Sequence, residues 1–510
     1  MNESEYLSVC AACDRVLLSP SSTTERMAIP WLHVIREHPV LLKTYVGIAS
    51  RRPASQRIRE RGERLLRLGV SWLRDAVRAR RADGRPWFGS APPPDKIDVL
   101  FVSHLLNESG VAQENDFFFG SIPAQLAREG RSVLVALINH CGASAESLAG
   151  TWHPHSVPRI VFSVSLDTSA EAEIFRRMWR ESVRLRKLAR AEREPVVRRV
   201  LEHAGDEALS SAPRTALRLS EQIRALVSAH RPGAIVVTHE GHAWERLTFA
   251  AARSVTPGIQ CIGYQHSALF RLQHAVRRHL LPAYDPDYVL TSGAVSKMQL
   301  EAARSLRDTP IEVLGSDRGF TGGNRNGAQE TSSSAHSKTC LVLPEGILSE
   351  CELLFEFTRQ CAEARSDVQF IWRLHPSVTF RELERANRKF ANLPANIVKS
   401  QASLQDDLAR SAWALYRGTT AVVQAVGARL RPVYLQLPGE MTIDPLYELD
   451  SWKVSVTTPA ELLRLVDAGL RHEGEASAEA EAVAREYCAR VFLPFDARVL
   501  TDILAESRTT

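Results

Sequence analysis

The chain has 510 residues, of which 44% are hydrophobic and 24% charged, and its net charge is +5. This length exceeds what one hydrophobic core supports, so two or three domains are predicted. The ordinary composition excludes a disordered or fibrous protein, and no apolar run reaches the roughly 18 residues of a membrane-spanning helix. The first residues lack the pattern of a secretory signal, so we expect a cytoplasmic protein, at most peripheral to the inner membrane.

Eight cysteines are scattered along the chain, and only Cys10 and Cys13 stand close together. A common zinc site needs a second pair or nearby histidines, and neither accompanies this pair. Reduced thiols in a cytosolic protein are the simpler interpretation. We therefore expect no metal and no cofactor.

Residues 1–90 read as a helical N-terminal extension that is basic in its second half. Between Arg51 and Arg85 there are 12 arginines against four acidic residues, interleaved with leucine, valine and tryptophan. A basic amphipathic helix with a tryptophan can lie on an anionic membrane surface. The alternative is a helix that packs on the main body and turns its arginines to solvent. Both interpretations stay open, and the prolines in residues 91–94 predict a domain boundary.

Residues 96–320 alternate between buried strands and helices, which predicts an α/β domain with a parallel sheet. The predicted strands are residues 96–103, 131–137, 159–164, 233–238, 259–264, 288–292 and 311–315. The predicted helices are residues 117–129, 170–193, 215–230, 244–253 and 294–306. Residues 321–338, rich in Gly, Ser, Asn and Thr, then predict a linker.

The alternation restarts at residue 339 and predicts a second α/β domain over residues 339–475, with further helices in residues 476–510. Its predicted strands are residues 339–344, 368–374, 396–398, 413–416 and 432–435. Its predicted helices are residues 348–365, 380–390, 404–411 and 419–428, followed by 460–468 and 476–490. Two Rossmann-like, doubly wound domains that face a cleft are the expected architecture.

Two strand ends of the second domain predict an anion site. One strand runs into Arg373, His375 and Pro376, and a later one breaks at Gly418 before Thr419 and Thr420. Open α/β sheets bind ligands at the carboxyl ends of their strands. Gly418 permits a turn, one of the threonines caps the next helix, and free N–H groups then face the ligand. A lone His-Pro can also be a plain strand-ending turn, but the pairing favours a phosphate site.

Glu345 and Gly346 follow the first strand of the same domain. Their position at the mouth of the sheet suits a residue pair that lines a nucleotide pocket. A plain turn is the alternative.

A second set of polar residues follows the predicted strand 233–238. Glu240 comes just beyond the strand end, Gly241 leaves room for close approach, and His242 and Glu245 follow. A carboxylate at this place can take a proton from an attacking hydroxyl group. We expect Glu240 to be the base or nucleophile, with His242 and Glu245 as rivals. A structural alternative is a helix-capping glutamate beside surface histidines, and Glu245 can simply complement the helix dipole.

Acceptor-binding residues are expected on the same side of the first domain. Asn107, Gly110 and Asp116 lie in a polar segment after the first strand, and His266 ends a neighbouring one. His266 could orient oxygen atoms of a substrate, although a structural histidine is the alternative.

Several common motifs are missing from the sequence. No Gly-x-Gly-x-x-Gly follows Val102 or Val342, and no Gly-x4-Gly-Lys-Ser/Thr occurs, which disfavours nicotinamide and P-loop functions. No Asp-x-Asp stands at a strand end, so a metal-independent mechanism is expected, in which cations and a helix dipole stabilise the leaving phosphate. No aromatic platform or recognition helix predicts a nucleic-acid partner.

The Arg-x-His-Pro strand end at residues 373–376, followed by Thr419 and Thr420, resembles the C-terminal domain of GT-B glycosyltransferases. Bacterial sialyltransferases and capsule or O-antigen Kdo transferases share this arrangement. In them the His-Pro and Ser/Thr motifs hold the nucleotide and phosphate of a CMP-sugar. Residues 107–110, 116–120 and 240–246 are similar to segments of bacterial surface-carbohydrate biosynthesis proteins. The resemblance spans about residues 96–440 and departs from the sialyltransferase pattern at His239, where an acidic residue is expected.

The resemblance implies a GT-B-like glycosyltransferase that moves a sugar from a nucleotide donor, CMP-linked by preference, to a surface-polysaccharide or glycolipid acceptor. The donor would bind the second domain and the acceptor the first. A CDP-polyol phosphotransferase, a nucleotide-sugar epimerase of the same fold, and a non-catalytic protein that binds a membrane surface through its basic residues are the alternatives.

Overall fold

The computed structural model describes residues 1–49, 84–153, 155–318, 338–470 and 478–506. Most of the basic segment predicted between Arg51 and Arg85, and nearly all of the predicted linker 321–338, lie outside the described residues. Two mostly parallel sheets, each covered by helices, organise the rest of the chain. The predicted fold class, two parallel α/β sheets with helices, is confirmed.

Helices begin the chain, as predicted. α1 begins with a capping box in which Asn2 and Glu5 bond each other's backbone N–H groups. Residues 1–49 contain the helices α1 (Glu3–Leu17), α2 (Thr24–Met27), α3 (Pro39–Leu42) and α4 (Val46–Ala49).

The first sheet has eight strands in the order β1-β4-β3-β2-β5-β6-β7-β8, and only β1 runs antiparallel to its neighbour. The strands are β1 (Trp87–Gly89), β2 (Val99–Leu105), β3 (Val133–Asn139), β4 (Arg159–Phe162), β5 (Ala234–Thr238), β6 (Gln260–Gln265), β7 (Tyr288–Thr291) and β8 (Ile311–Val313). Side chains alternate along a strand, so Val99 and Phe101 join one core while Leu100 and Val102 join the core on the opposite face. Both faces are buried, which explains the continuous apolar runs in the sequence.

Helices cover both faces of this sheet. They are α5 (Ile122–Arg128), α6 (Ala145–Leu148), α7 (Thr168–Ala191), α8 (Pro195–Glu207), α9 (Ser211–His230), α10 (Ala243–Val255) and α11 (Ala294–Glu301). Short 3-10 helices lie at Pro30–His33, Glu108–Ala112, Ala275–Arg277, Arg304–Leu306 and Arg388–Ala391.

The N-terminal helices share a core with helices of this first unit. Tyr6, Val9 and Leu17 of α1 are buried together with Leu185 of α7 and Val200 of α8. Burying a side chain of this size contributes about 1.5–3 kcal/mol. The described part of the predicted extension is therefore an integral layer of the first unit, which brings residues 30–45 close to the cleft.

The second sheet has six parallel strands in the order β11-β10-β9-β12-β13-β14. They are β9 (Thr339–Pro344), β10 (Gln369–Trp372), β11 (Ile397–Lys399), β12 (Trp413–Arg417), β13 (Arg431–Leu435) and β14 (Val454–Val456). The accompanying helices are α12 (Leu348–Ala364), α13 (Phe380–Ala386), α14 (Leu404–Ala409), α15 (Ala421–Gly427) and α16 (Pro459–Leu470).

The last two helices, α17 (Ala478–Val491) and α18 (Ala497–Glu506), join different units. Cys488 of α17 packs in the core beneath β9 and β12, whereas Leu500 of α18 packs in the core beneath β2 and β5. The chain therefore returns to the first sheet at its end and ties the two units together.

Several predicted elements differ from the structure. The predicted helix 117–129 shortens to α5, because Asp116 holds the preceding residues in a loop. The strands β1 and β14, of three residues each, and the helix α8 are absent from the predicted elements. Within the described residues, none of the helices has both the length and the apolar character needed to cross a bilayer.

Candidate active site

Polar residues from both sheets gather at the carboxyl ends of neighbouring strands. In the first unit they follow β5 and β6, which pair in parallel. In the second unit they follow β9, β10 and β12, of which β9 is the central member. The strand order therefore brings together, within each unit, the residues that the sequence places far apart.

Glu240 is half-buried and has two side-chain partners in the first unit. The Ser267 hydroxyl donates to its Oε1 at 2.7 Å, and Nε2 of His242 lies 3.6 Å from its Oε2. Ser267 belongs to the loop after β6, next to His266, and had not been predicted as a site residue. The two loops thus hold one carboxylate between them and leave it partly open to the cleft.

Glu245 organises the loop that carries Glu240. Its carboxylate accepts the backbone N–H groups of Glu240, Gly241 and His242 at 2.7–2.9 Å and lies 3.2 Å from Nδ1 of His239. Its side chain is buried and belongs to the first turn of α10. These contacts match the structural alternative of a capping glutamate, so we no longer consider Glu245 a rival for the catalytic role.

Gly241 permits the sharp turn between Glu240 and α10. Its φ is +87°, and a Cβ added there would stand 2.4 Å from the carbonyl carbon of Ala275. A side chain at this position would be strained and would also clash with backbone. The close approach predicted for this glycine is present, but against the protein's own chain.

Burial and charge set the pKa values around Glu240. Burial alone would raise the pKa of Glu240, but the hydrogen bond with His242 and the nearby charges of His266 and Arg36 outweigh it and lower the pKa. Burial acts to lower the pKa of His242, and the hydrogen bond and charge of Glu240 reverse this and raise it. Burial lowers the pKa of His266 to about 4. At neutral pH the cleft therefore contains a carboxylate and a neutral His266.

His266 lies against the aromatic ring of Phe118, with ring centres 4.5 Å apart. Its Nδ1 is buried, and no hydrogen-bond partner for it exists in the described part of the chain. The charge of Glu240 acts on His266, so the two side chains are near each other, and the role of His266 in orienting a substrate stays a prediction.

Asn107 and Gly110 lie on an exposed 3-10 turn after β2. The Ser109 hydroxyl donates to Oδ1 of Asn107 at 2.7 Å, and the Gly110 carbonyl accepts from Arg159 at 3.4 Å. The turn leaves Asn107 accessible. Its predicted contact with an acceptor stays a prediction.

Asp116 is buried and serves its own loop. Its Oδ1 accepts the Ser103 hydroxyl at 2.9 Å and the N–H groups of Phe118 and Phe119 at 2.9 and 2.8 Å. These bonds all use Oδ1 and hold the loop together, and the predicted contact of Asp116 with an acceptor stays a prediction. Phe117, the next residue, is exposed.

On the second unit, His375 and Gly346 lie side by side although the residues come from different strands. A Cβ added at Gly346 would stand 2.7 Å from Nδ1 of His375 and 2.6 Å from Oγ of Ser377. Nδ1 faces Ser377, at 2.8 Å from its Oγ and 3.2 Å from its backbone nitrogen, so Nε2 is the ring nitrogen left for a ligand. Burial, followed by the charge of Arg318, lowers the pKa of His375, which keeps the ring neutral at pH 7.

Arg373 is already paired within its own unit. Its guanidinium donates to Oδ2 of the buried Asp407 at 2.8 Å and to the Ala402 carbonyl at 2.7 Å. Pro376 is exposed and ends the segment after β10. Arg373, the predicted cation of the anion site, is thus mostly engaged by Asp407. The sequence does not reveal this pair because the two residues are 34 positions apart.

Gly418, Thr419 and Thr420 form the predicted turn, with differences in detail. Gly418 has a φ of +68°, as a glycine turn requires. Thr420 makes no side-chain capping bond, and Oγ1 of Thr419 accepts the Ala421 N–H at 3.3 Å. The hydroxyl of Thr419 is buried, so backbone N–H groups and Thr420 are left to contact a ligand.

Glu345 lies beneath this turn and is held by the N-terminal segment. Its Oε1 would be 2.7 Å from a Cβ at Gly418, and the same atom is bonded by Nε2 of His38. Arg36 donates to its Oε2 at 3.1 Å. A bound anion would therefore lie on the His375 side of the turn, away from this carboxylate.

Three residues at this junction have the spacing of metal ligands. His38, Glu345 and Glu350 are all buried, and one ligand atom from each lies within 4.8 Å of the others. Arg36 and Arg417 already pair with the two glutamates, Arg417 at 3.3 Å from Oε2 of Glu350. These guanidinium groups supply the positive charge that a cation would bring, so the predicted absence of a metal stays a prediction.

Two arginines missed by the sequence analysis lie between the units. Arg36 stands over the Phe270 ring at 4.8 Å, and its charge acts on Glu240. Arg318 stands over the Phe117 ring at 5.8 Å, and its charge acts on both His266 and His375. Neither lies at a recognisable motif. The one available signal for Arg318 is its position just before the predicted linker.

No protein-family model matches the chain, and no curated protein does. Among solved structures, the glycotransferase of kitacinnamycin is similar with a TM-score of 0.46 and 14% identity, over 82% of this chain and 100% of that one. The glycosyltransferase SnogD from Streptomyces nogalater gives 0.45 and 15%, over 81% and 100%. UDP-GlcNAc 2-epimerase from Neisseria meningitidis gives 0.44 and 11%, over 80% and 99%.

Similarities of this size do not assign an activity. The chain's own strand order and residues define its class: a protein of two mostly parallel α/β sheets whose strand ends carry polar residues.

Proposed function

We propose that the protein is a glycosyltransferase that moves a sugar from a nucleotide donor to a glycan or glycolipid acceptor. The observation that supports this most is that a half-buried carboxylate, Glu240, and a histidine of lowered pKa, His375, lie at strand ends of different units and within electrostatic reach of the same arginine, Arg318. The first can receive a proton from an acceptor hydroxyl, and the second can donate a hydrogen bond to the donor phosphate.

The chemistry assigned to Glu240 is consistent with its lowered pKa. The acceptor oxygen attacks the anomeric carbon, the bond from that carbon to the phosphate oxygen breaks, and the phosphate leaves with the electron pair. The hydroxyl proton becomes strongly acidic once the oxygen has bonded to carbon, so a carboxylate of low basicity suffices to take it. Ser267 and His242 hold the carboxylate in place, and His266 can orient the acceptor.

On the donor side, the phosphate would lie between His375, Thr420 and the backbone N–H groups after Gly418, with Gly346 beneath the histidine. CMP is the first nucleotide to test, because the Arg-x-His-Pro and Thr-Thr pair resembles that of enzymes that use CMP-sugars. Arg373 is paired with Asp407 and Pro376 is exposed, so we assign neither a contact with the phosphate.

Calorimetry with CMP, CDP, UDP and GDP tests the donor site. We expect CMP to bind, and we expect His375→Ala and the Thr419→Ala, Thr420→Ala double variant to lose that binding. The exposed His153→Ala serves as a matched control. A preference for UDP contradicts the CMP assignment alone, whereas no binding of any nucleotide contradicts the proposed function.

Activity assays with a CMP-sugar and bacterial glycan acceptors test the reaction. Glu240→Gln should lower turnover by about 10²–10⁴-fold without weakening nucleotide binding. A chelator should leave turnover unchanged if the mechanism needs no metal, and lost activity would point to His38, Glu345 and Glu350 instead. Turnover of the donor without an acceptor would indicate an epimerase or hydrolase. With CDP-glycerol, transfer would indicate a polyol phosphotransferase.

The proposal includes a cytoplasmic location and peripheral contact with anionic lipid through the arginines between Arg51 and Arg85. Sedimentation with anionic and neutral vesicles tests it. Salt-sensitive vesicle binding that persists in a chain without any nucleotide affinity would favour the non-catalytic membrane protein.

A further inference from the structure

Arg318 is fixed at the junction of the two units. It follows β8, and its backbone N–H donates to Oγ of Ser316 at 3.1 Å. Its carbonyl accepts from Nε2 of Gln424, a residue of α15 in the second unit, at 3.4 Å. A Cβ at the neighbouring Gly315 would stand 2.1 Å from the Pro494 carbonyl oxygen, so this backbone has little freedom.

The partly buried guanidinium of Arg318 has no carboxylate partner of the kind that three fully buried arginines have. Arg26 pairs with Glu181 at 2.8 Å, Arg246 with Asp285, and Arg417 with Glu350 at 3.3 Å. For Arg318, no carboxylate lies within ion-pair distance among the described residues. Its guanidinium carbon lies over the ring of Phe117, 5.8 Å from the ring centre.

The surroundings of Arg318 disfavour an uncompensated charge. Burial lowers its pKa, with the charges of Tyr264 and Glu240 acting in the opposite sense. Removing a charged group from water without a partner is unfavourable, so such a site gains free energy when an anion enters it. The charge lies between the candidate half-sites, since it acts on His266 of the first unit and His375 of the second.

The other cations of the cleft are less suited to an anionic ligand. Arg373 is engaged by Asp407, and Arg36 by Glu345. Arg318 is thus the cleft arginine, among the residues described, whose charge is left for a ligand.

We propose that Arg318 binds the phosphate of the nucleotide donor and stabilises the charge that develops on it as the sugar leaves. This inference rests on the proposed function and names the residue that receives the leaving group. Phe117 supports the guanidinium plane from one side, which leaves its N–H groups to a phosphate oxygen. These hydrogen bonds strengthen as the bond to the anomeric carbon breaks and negative charge accumulates on the phosphate.

Paired nucleotide and nucleoside probes test the inference. Calorimetry compares CMP with cytidine, and UDP with uridine, on the full chain, Arg318→Met and Arg318→Lys. A charge-assisted hydrogen bond predicts that Arg318→Met weakens nucleotide binding about 10- to 100-fold and leaves nucleoside binding unchanged. Arg318→Lys should retain part of the affinity, because it keeps the charge but not the planar guanidinium. Arg307→Met, on the exposed surface, is the matched control.

The outcomes separate this inference from the function on which it rests. Equal nucleotide affinity in the unaltered chain and Arg318→Met overturns the role of Arg318 and leaves the proposed function standing. Equal losses for nucleotide and nucleoside also overturn it, because they indicate a distorted pocket. A chain that binds no nucleotide overturns both.

Discussion

Glu240 lies on the loop before α10 and Glu245 in the first turn of that helix, yet the folded chain uses the two carboxylates differently. Glu240 remains half-open to the cleft with the Ser267 hydroxyl as a partner, while Glu245 is buried beneath three backbone N–H groups. The turn at Gly241 brings the backbone N–H groups of the loop to the Glu245 carboxylate and leaves the Glu240 carboxylate partly exposed.

Replacing Glu245 with Ala should destabilise the first unit. The change leaves the buried N–H groups of Glu240 and Gly241 without an acceptor, and His239 without its neighbour at 3.2 Å. We expect the free energy of unfolding to fall by about 3 kcal/mol, measured by urea denaturation. Glu240→Ala, the paired control, should change it by less than about 1 kcal/mol. A Glu245→Ala chain of unaltered stability would contradict the organising role.

Residue types and local spacing predict part of this site. The capping position of Glu245 is readable from its place in the first helical turn. The surroundings that bury Glu245 cannot be predicted from the sequence. They depend on the close approach of Gly241 to Ala275, two residues distant in sequence. The same limit hides Arg36, whose partner Glu345 is 309 residues away.

At the scale of elements, the sequence predicts most strands of both sheets, because most of them are buried runs. It also predicts that polar residues after β9, β10 and β12 meet, since strand ends of a parallel sheet share one edge. The sequence does not predict the order of the strands. In that order, β9 lies between β10 and β12. β14, a strand of three residues of which one is buried, is absent from the predicted strands.

Gly346 should be necessary for the position of His375. A methyl group at residue 346 would stand 2.6 Å from Oγ of Ser377 and 2.7 Å from the imidazole, so Gly346→Ala must displace both side chains. We expect nucleotide binding to weaken about tenfold by calorimetry, with a change in unfolding free energy below about 1.5 kcal/mol. Gly258→Ala is the control, because nothing lies within 4 Å of a Cβ there. Unchanged nucleotide affinity in Gly346→Ala would separate His375 from the binding site.

At the scale of the whole molecule, buried histidines should make stability depend on pH. Burial lowers the pKa of His33, His104, His239 and His266, the last to about 4 from an ordinary value of 6.5. The unfolded chain then binds protons near pH 6.5 that the folded chain does not, so this stability is complete above pH 6.5 and is lost as the pH falls towards the folded pKa values. The raised pKa of His242 acts in the opposite sense, but it is one group against several.

Urea denaturation at several pH values measures this dependence. The free energy of unfolding should fall between about pH 6.5 and 5 by up to about 1.4 kcal/mol per pH unit for each such histidine. His266→Gln should reduce the slope, whereas the exposed His153→Gln should not. A flat profile in this window would contradict the burial of neutral imidazoles.

Glu345 connects the two units, and this contact should control the opening of the cleft. Arg36 donates to it at 3.1 Å and His38 bonds its other oxygen, both from the N-terminal segment that is packed into the first unit. Glu345 itself follows β9 of the second unit, so separating the sheets requires breaking these bonds. Removing one member of a buried ionic cluster costs about 3–5 kcal/mol. Because this cluster joins the two units, the loss lowers the stability of the contact between them.

We therefore expect Glu345→Ala to populate a more open molecule. Small-angle X-ray scattering should give a larger radius of gyration than for the unaltered chain, and a saturating nucleotide should reduce it if the ligand bridges both units. Gln299→Ala is the matched control, since it removes a different bond between the units, the 2.8 Å contact with Glu448 near the surface. An identical radius in Glu345→Ala and Gln299→Ala would show that the N-terminal segment does not hold the cleft closed. Then closure would depend on the returning helices α17 and α18, which pack against separate sheets.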